Sequence, residues 1–216
     1  MMWIMGPGHS AAMDRKQHWQ QVYTDKAVHE TSWHQANPAP SLNMIAAASS
    51  GRRTSLLDVG GGASLLVDHL LDLGYHDLTV LDIAGAALDQ ARRRLGLRAA
   101  DVTWIEADVT QFEPARTWEV WHDRAAFHFL TEAADRKRYV DVLKRALADG
   151  GQAIIAAFAP DGPERCSGLD IVRYDAASLA AELGQAFTLQ DQRFDAHRTP
   201  AGREQRFGFY RFCKGD

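Results

Sequence analysis

Four carboxylates, Asp58, Asp82, Asp108 and Asp123, each stand at the end of an apolar run, and three consecutive glycines, Gly60, Gly61 and Gly62, follow the first of them. Glycines allow positive φ and, lacking Cβ, let a ligand lie directly on the backbone. A carboxylate beside such a turn repels a pyrophosphate and attracts a cationic or hydroxyl-bearing group. Asp82 lies 20 positions beyond Gly62, where a strand-end carboxylate accepts the hydroxyls of a ribose. Asp108 suits the exocyclic amine of adenine, with Val109 packed on the ring. Like charges gathered along one sheet edge repel each other, and a cationic, sugar-bearing ligand offsets that repulsion.

The elements that must position these groups follow from periodicity. Leu56-Leu57-Asp58-Val59 reads as a buried strand, and Leu65, Leu66, Leu70, Leu71 and Leu73 recur at helical spacing up to Gly74. Strands are expected over 77–82, 102–106, 118–124 and 152–158, with helices over 84–95 and 135–148. Asp175 caps a short helix ending at Gly184. Two alternating aromatic-rich runs, 186–197 and 203–213, flank the turn Thr199-Pro200-Ala201-Gly202 and predict an antiparallel hairpin. Before the first strand, Trp19, Val22 and Tyr23 share one helical face. Trp33 and His34 lie in a loop closed by Pro38 and Pro40, and Ser41 is expected to cap a helix over 41–48.

The 216-residue chain is long enough for one substantial core. Its 24 Lys and Arg against 28 Asp and Glu leave no basic surplus for a nucleic-acid backbone or an anionic membrane. No apolar run approaches the roughly 20 residues of a membrane helix, so a soluble, cytoplasmic protein is expected. Cys166 and Cys213 stand far apart, and the nine histidines lack paired-ligand spacing, so no disulfide framework or metal is expected. Residues 1–12 read as a flexible leader or tag, 13–50 as an N-terminal cap segment, and 51–216 as the main domain.

Asp58-Val59-Gly60-Gly61-Gly62 departs from the G-x-G-x-x-G of dinucleotide-binding turns, because Leu65 stands at the third glycine's place. It resembles motif I of class I S-adenosylmethionine-dependent methyltransferases, and Asp82, Asp108 with Val109, Asp123 and the closing hairpin resemble that family's later landmarks in order. The resemblance implies an α/β, Rossmann-like three-layer sandwich. Its sheet is mostly parallel and seven-stranded, with an antiparallel C-terminal hairpin strand and a helical N-terminal cap. It also implies S-adenosylmethionine as cofactor, held by Asp58, Gly60, Gly61, Gly62, Asp82, Ile83, Asp108, Val109 and Asp123, with Tyr23 and Trp19 from the cap.

Methyl transfer from a sulfonium needs alignment above all, and a base only where the acceptor arrives protonated. His128 and Asp123 are the candidate bases. His128 has a plain reading as a residue packed between Phe127 and Phe129, and Asp123 as a helix cap. Trp33, His34, Arg165, Cys166, Arg173 and Tyr174 are the candidate acceptor contacts. A small-molecule acceptor is favoured over a protein side chain such as lysine. A nicotinamide-dependent oxidoreductase and a non-catalytic binding module remain as alternatives from other classes.

Overall fold

The computed structural model describes residues 8–215, with side chains from Arg15 onward. Its main sheet has seven strands: β1 (Leu56–Val59), β2 (Leu78–Asp82), β3 (Val102–Glu106), β4 (Trp118–Arg124), β5 (Leu147–Phe158), β8 (Phe187–Arg198) and β9 (Glu204–Lys214). They lie in the order β3-β2-β1-β4-β5-β9-β8. β1 to β5 pair in parallel, and β9 runs antiparallel to both β5 and β8. The sheet therefore has the expected mostly parallel, hairpin-closed form. A separate two-stranded piece joins β6 (Arg165–Cys166) to β7 (Leu169–Asp170).

Strand alternation divides the core between two faces. Leu57, Val59, Leu81, Trp121, Ile155, Tyr210 and Phe212 point one way, against α5 (Ala133–Ala146) and α6 (Ala176–Leu183). Leu56, Leu78, Val80, Val120, Ile154 and Phe209 point the other way, against α2 (Ala39–Ala48), α3 (Leu66–Asp72) and α4 (Gly85–Leu95). Three layers result because neither face can be left in water.

Helix α1 (Gly8–Asp25) crosses the strand ends and is tied to α4, where the Gln20 side chain accepts from Ala86 N–H at 3.2 Å and Gln90 donates to the Tyr23 carbonyl. Residues 1–7 of the expected leader lie outside the described residues, whereas Gly8 already opens α1.

Three local expectations are corrected. Helix α2 starts at Ala39 with Pro38 at its N-cap and Pro40 in its first turn, where a missing N–H costs nothing. Ser41 is accordingly inside the helix, not its cap. Helix α5 stops at Ala146, although Leu147 continues its apolar spacing, because Leu147 enters the sheet opposite Trp118.

Candidate active site

The ends of the parallel strands open into a cavity with about 890 Å³ of empty space, counting its open mouth. Gly60, Asp82, Ile83, Asp108 and Val109 line the side over β1, β2 and β3, and Trp19, Tyr23 and Trp33 form the roof. Phe129, Cys166 and Phe207 close the side toward β9. A second cavity, sharing Tyr23, Trp33, Gly60 and Arg124, adds Asp58, Gly61, His34, Ser41 and His122 near the start of α3.

The glycine turn is shaped by close contact. Gly60 has φ +66°, and a Cβ there would fall 2.8 Å from the Ala126 methyl. Gly62, at φ +46°, lines neither cavity but lies beneath Asp82 and Tyr23, its hypothetical Cβ 2.7 Å from Asp82 Oδ2 and 3.1 Å from the Tyr23 hydroxyl. No L side chain fits either position without strain.

Each strand-end carboxylate has a different fate. Asp82 accepts from Ala84 N–H at 2.8 Å through Oδ1, and burial pushes its pKa up to about 7. Asp108 accepts from Thr110 N–H and hydroxyl through Oδ1, while Oδ2 meets Arg15 at 3.3 Å. Both oxygens are thus engaged, a competition for the expected adenine contact that sequence spacing did not reveal. Arg15 also pairs with Asp135 at 2.8 Å and so latches α1 to the turn after β3 and to α5. Asp58 is bound to His122 Nδ1 at 2.7 Å, and His122 Nε2 lies 2.9 Å from the Ser41 hydroxyl, so a buried three-residue chain fixes the carboxylate under Gly61.

Asp123 lines neither cavity. It is fully buried, accepts from Ala126 and Phe127 N–H, and receives the Tyr139 hydroxyl at 2.6 Å. Burial raises its pKa to about 6 against the pull of these donors. Its carboxylate holds the turn after β4, which corrects the expectation of a ligand contact or base. His128 is also absent from both cavities and fully buried, packed at 4.4 Å from the Phe129 ring and 5.1 Å from Phe158. Burial and the Arg124 charge lower its pKa to about 3. His128 thus sits in the core, as its packed reading has it, with both ring nitrogens unpartnered among the described residues.

The candidate acceptor residues divide similarly. Trp33 lines both cavities, His34 the second and Cys166 the first. Burial pushes the Cys166 thiol pKa up, away from the reactive thiolate. Arg165 is instead spent on Asp170 at 2.9 Å and Arg173 on Glu164 at 3.2 Å, while Tyr174 is buried against Phe127. None of these last three lines either cavity.

Sequence reading passed over Arg124, one residue beyond Asp123, although it lines both cavities. A charged residue closing the apolar run of β4 was the available signal. The residue after it, Ala125, has φ +68°, an uncommon conformation for a side-chain-bearing residue and one concentrated at functional turns. The aromatic roof was partly foreseen: Trp19 packs edge-on against Phe129 at 4.9 Å and Trp33 at 5.7 Å, and Tyr23 lies 6.0 Å from Trp33. Among the described residues, no helix is long and apolar enough to cross a membrane, and no three metal-binding side chains gather.

Comparison with known proteins agrees with this geometry. Residues 56–151 match the family described as a methyltransferase domain. Nodulation protein S of Rhizobium tropici is 26% identical over 114 residues, which span 53% of this chain and 47% of that protein. The eEF1A lysine and N-terminal methyltransferase of Mus musculus is 31% identical over 105 residues, 47% of this chain and 15% of that protein. The chain thus spans less than half the length of these relatives. A crystal structure of Burkholderia thailandensis 1,6-didemethyltoxoflavin-N1-methyltransferase, with its bound 1,6-didemethyltoxoflavin and S-adenosylhomocysteine, shares the fold. It is 19% identical, with a TM-score of 0.72 over 100% of this chain and 94% of that one. Residues 56–151 thus match the methyltransferase-domain family, and the strand order and glycine turn agree with the fold of that solved methyltransferase.

Proposed function

We propose that this protein transfers a methyl group from S-adenosylmethionine to a small-molecule acceptor, with residues 13–50 as the cap and 51–216 as the catalytic domain. One observation carries the reading. A single cavity joins Gly60, Asp82 and Asp108 at the β1, β2 and β3 ends to an apolar chamber under Trp19, Trp33 and Phe207.

The residues fit the donor. Asp82 keeps Oδ2 available for ribose hydroxyls, since Oδ1 is the oxygen bound to Ala84. Ile83 and Val109 offer apolar surface for adenine, and Asp58, braced by His122, faces the second cavity for the amino-acid end. The donor supplies a methyl on a cationic sulfur, which departs as a neutral thioether. The chain's own contribution is to align the acceptor and exclude water, an effect worth roughly 7–11 kcal/mol when geometry is right. Aromatic faces of Trp19, Tyr23 and Trp33 add about 0.5–2 kcal/mol of attraction for a nearby cation. With Asp123 and His128 withdrawn, neither supplies a base, so the acceptor atom enters with a free lone pair.

The roof favours a small acceptor over a folded protein, because α1 and the 31–38 segment stand where a protein surface would approach. The methylation of a protein side chain is the second reading, favoured by the mouse relative. Calorimetry with S-adenosylhomocysteine tests donor recognition, and labelled donor with metabolite and peptide panels separates the acceptors. Absence of binding, together with an unaltered Asp82→Ala variant, would remove the reading.

A further inference from the structure

The geometry points to Arg124 as the residue that selects the acceptor, by pairing with a carboxylate or equivalent oxyanion on a small planar molecule seated against Phe207. This inference rests on the methyl-transfer reading and names its substrate class.

Arg124 is a cation without a matching anion. Its Nη1 donates to the Trp33 carbonyl at 3.1 Å, but Nε and Nη2 are withdrawn from solvent and have no hydrogen-bond partner among the described residues. Asp195 and Asp58 act on it only through space. Burial, partly opposed by these nearby groups, lowers its pKa to about 10, still far above neutrality, so the guanidinium remains charged. Enclosed cations are kept where something pairs with them. Nε and one terminal nitrogen are the two donors a guanidinium uses to grip a carboxylate as a fork.

Placement along the sheet indicates which molecule brings the anion. Asp82 and Asp108 lie over β2 and β3, to one side of the glycine turn, and would take the nucleoside. Arg124 ends β4 on the other side, and its Cζ lies 4.8 Å from the centre of the Phe207 ring on β9. Phe207 and Cys166 furnish apolar walls there, so a flat acceptor with an acidic edge matches both the ring and the fork. Arg124 also borders the second cavity, where the donor's own carboxylate would lie, so the test must separate the two anions.

Two arms do so. In the first, calorimetry compares S-adenosylhomocysteine with 5′-methylthioadenosine, which lacks the amino-acid end, on the wild type and on Arg124→Gln. In the second, fluorine NMR measures 4-fluorobenzoate and 4-fluorobenzamide on protein saturated with S-adenosylhomocysteine. The expected result is that wild type prefers the benzoate by about tenfold or more, that Arg124→Gln abolishes this preference, and that Arg124→Lys retains part of it. S-adenosylhomocysteine affinity should stay within about threefold in each variant. Equal binding of benzoate and benzamide to wild type, or a preference that survives Arg124→Gln, overturns the inference. So does a loss of S-adenosylhomocysteine affinity that spares 5′-methylthioadenosine, which would assign Arg124 to the donor. Failure of wild type to bind S-adenosylhomocysteine would instead strike the methyl-transfer reading itself. Thermal melts of both variants establish that they are folded.

Discussion

His122 Nδ1 lies 2.7 Å from Asp58 Oδ1, and both residues are buried beneath the glycine turn. The pair joins β4 to β1 in register, and Ser41 extends it into α2. Removing the imidazole leaves a buried carboxylate oxygen without its partner, which costs about 1–3 kcal/mol. His122→Ala should therefore lower unfolding free energy by about 2 kcal/mol or more, and Ser41→Ala by less. Urea melts of both variants measure this, and equal, negligible effects would show that the chain contributes nothing.

A Cβ on Gly60 would fall 2.8 Å from the Ala126 methyl. Gly60→Ala adds a second methyl and forces an alanine to φ +66°. The expected cost is about 1–3 kcal/mol, with S-adenosylhomocysteine affinity reduced at least about tenfold because the turn must shift. Differential scanning fluorimetry with and without ligand reads both effects. An unchanged melting temperature would mean that the turn has slack.

Asp82 gives the donor site a pH dependence. In the proposed donor site, ribose hydroxyls would donate to the charged carboxylate, and its pKa is raised to about 7 by burial. Affinity for S-adenosylhomocysteine should rise as pH increases through that value, and Asp82→Asn should flatten the profile. The stability effect has the opposite direction. A carboxyl that holds its proton more tightly in the folded state favours folding below the unfolded pKa of about 4, and this contribution is lost as pH rises toward 7. Calorimetry and melts across that range check both signs.

Tyr139 tests the assignment of Asp123 to structure. Its hydroxyl donates to Asp123 at 2.6 Å and accepts from Trp121 Nε1 at 2.8 Å, all within the core. Tyr139→Phe should cost about 1–3 kcal/mol while leaving S-adenosylhomocysteine affinity unchanged. A large loss of affinity with little loss of stability would restore Asp123 to the binding site.

Four of the five parallel strands and the closing hairpin were legible because an apolar run ending in a carboxylate, or a two-residue alternation around Pro200-Ala201-Gly202, leaves few other interpretations, and the fifth was legible as a plain apolar run. Asp82, Ile83 and Val109 reached the cavity as their strand-end positions implied. Asp123 carried the same signal and turned inward, because the backbone N–H groups of Ala126 and Phe127 are local partners that spacing does not disclose. His128 illustrates a different limit: an imidazole between two phenylalanines reads alike whether it faces ligand or core. Arg15 and Arg124 were missed because their importance lies in contacts with Asp108 and Trp33, each about 90 residues away in the chain.

The aromatic roof and the Phe207 wall come from opposite ends of the sequence, yet they meet where His197 Nε2 lies 2.8 Å from the Ser32 carbonyl. On the proposed function, substrate preference would be written in two segments that flank the nucleoside-holding half without interrupting it. Exchanging both segments together with those of a related enzyme could redirect specificity while sparing donor use, whereas swapping one alone would leave mismatched halves of a mould.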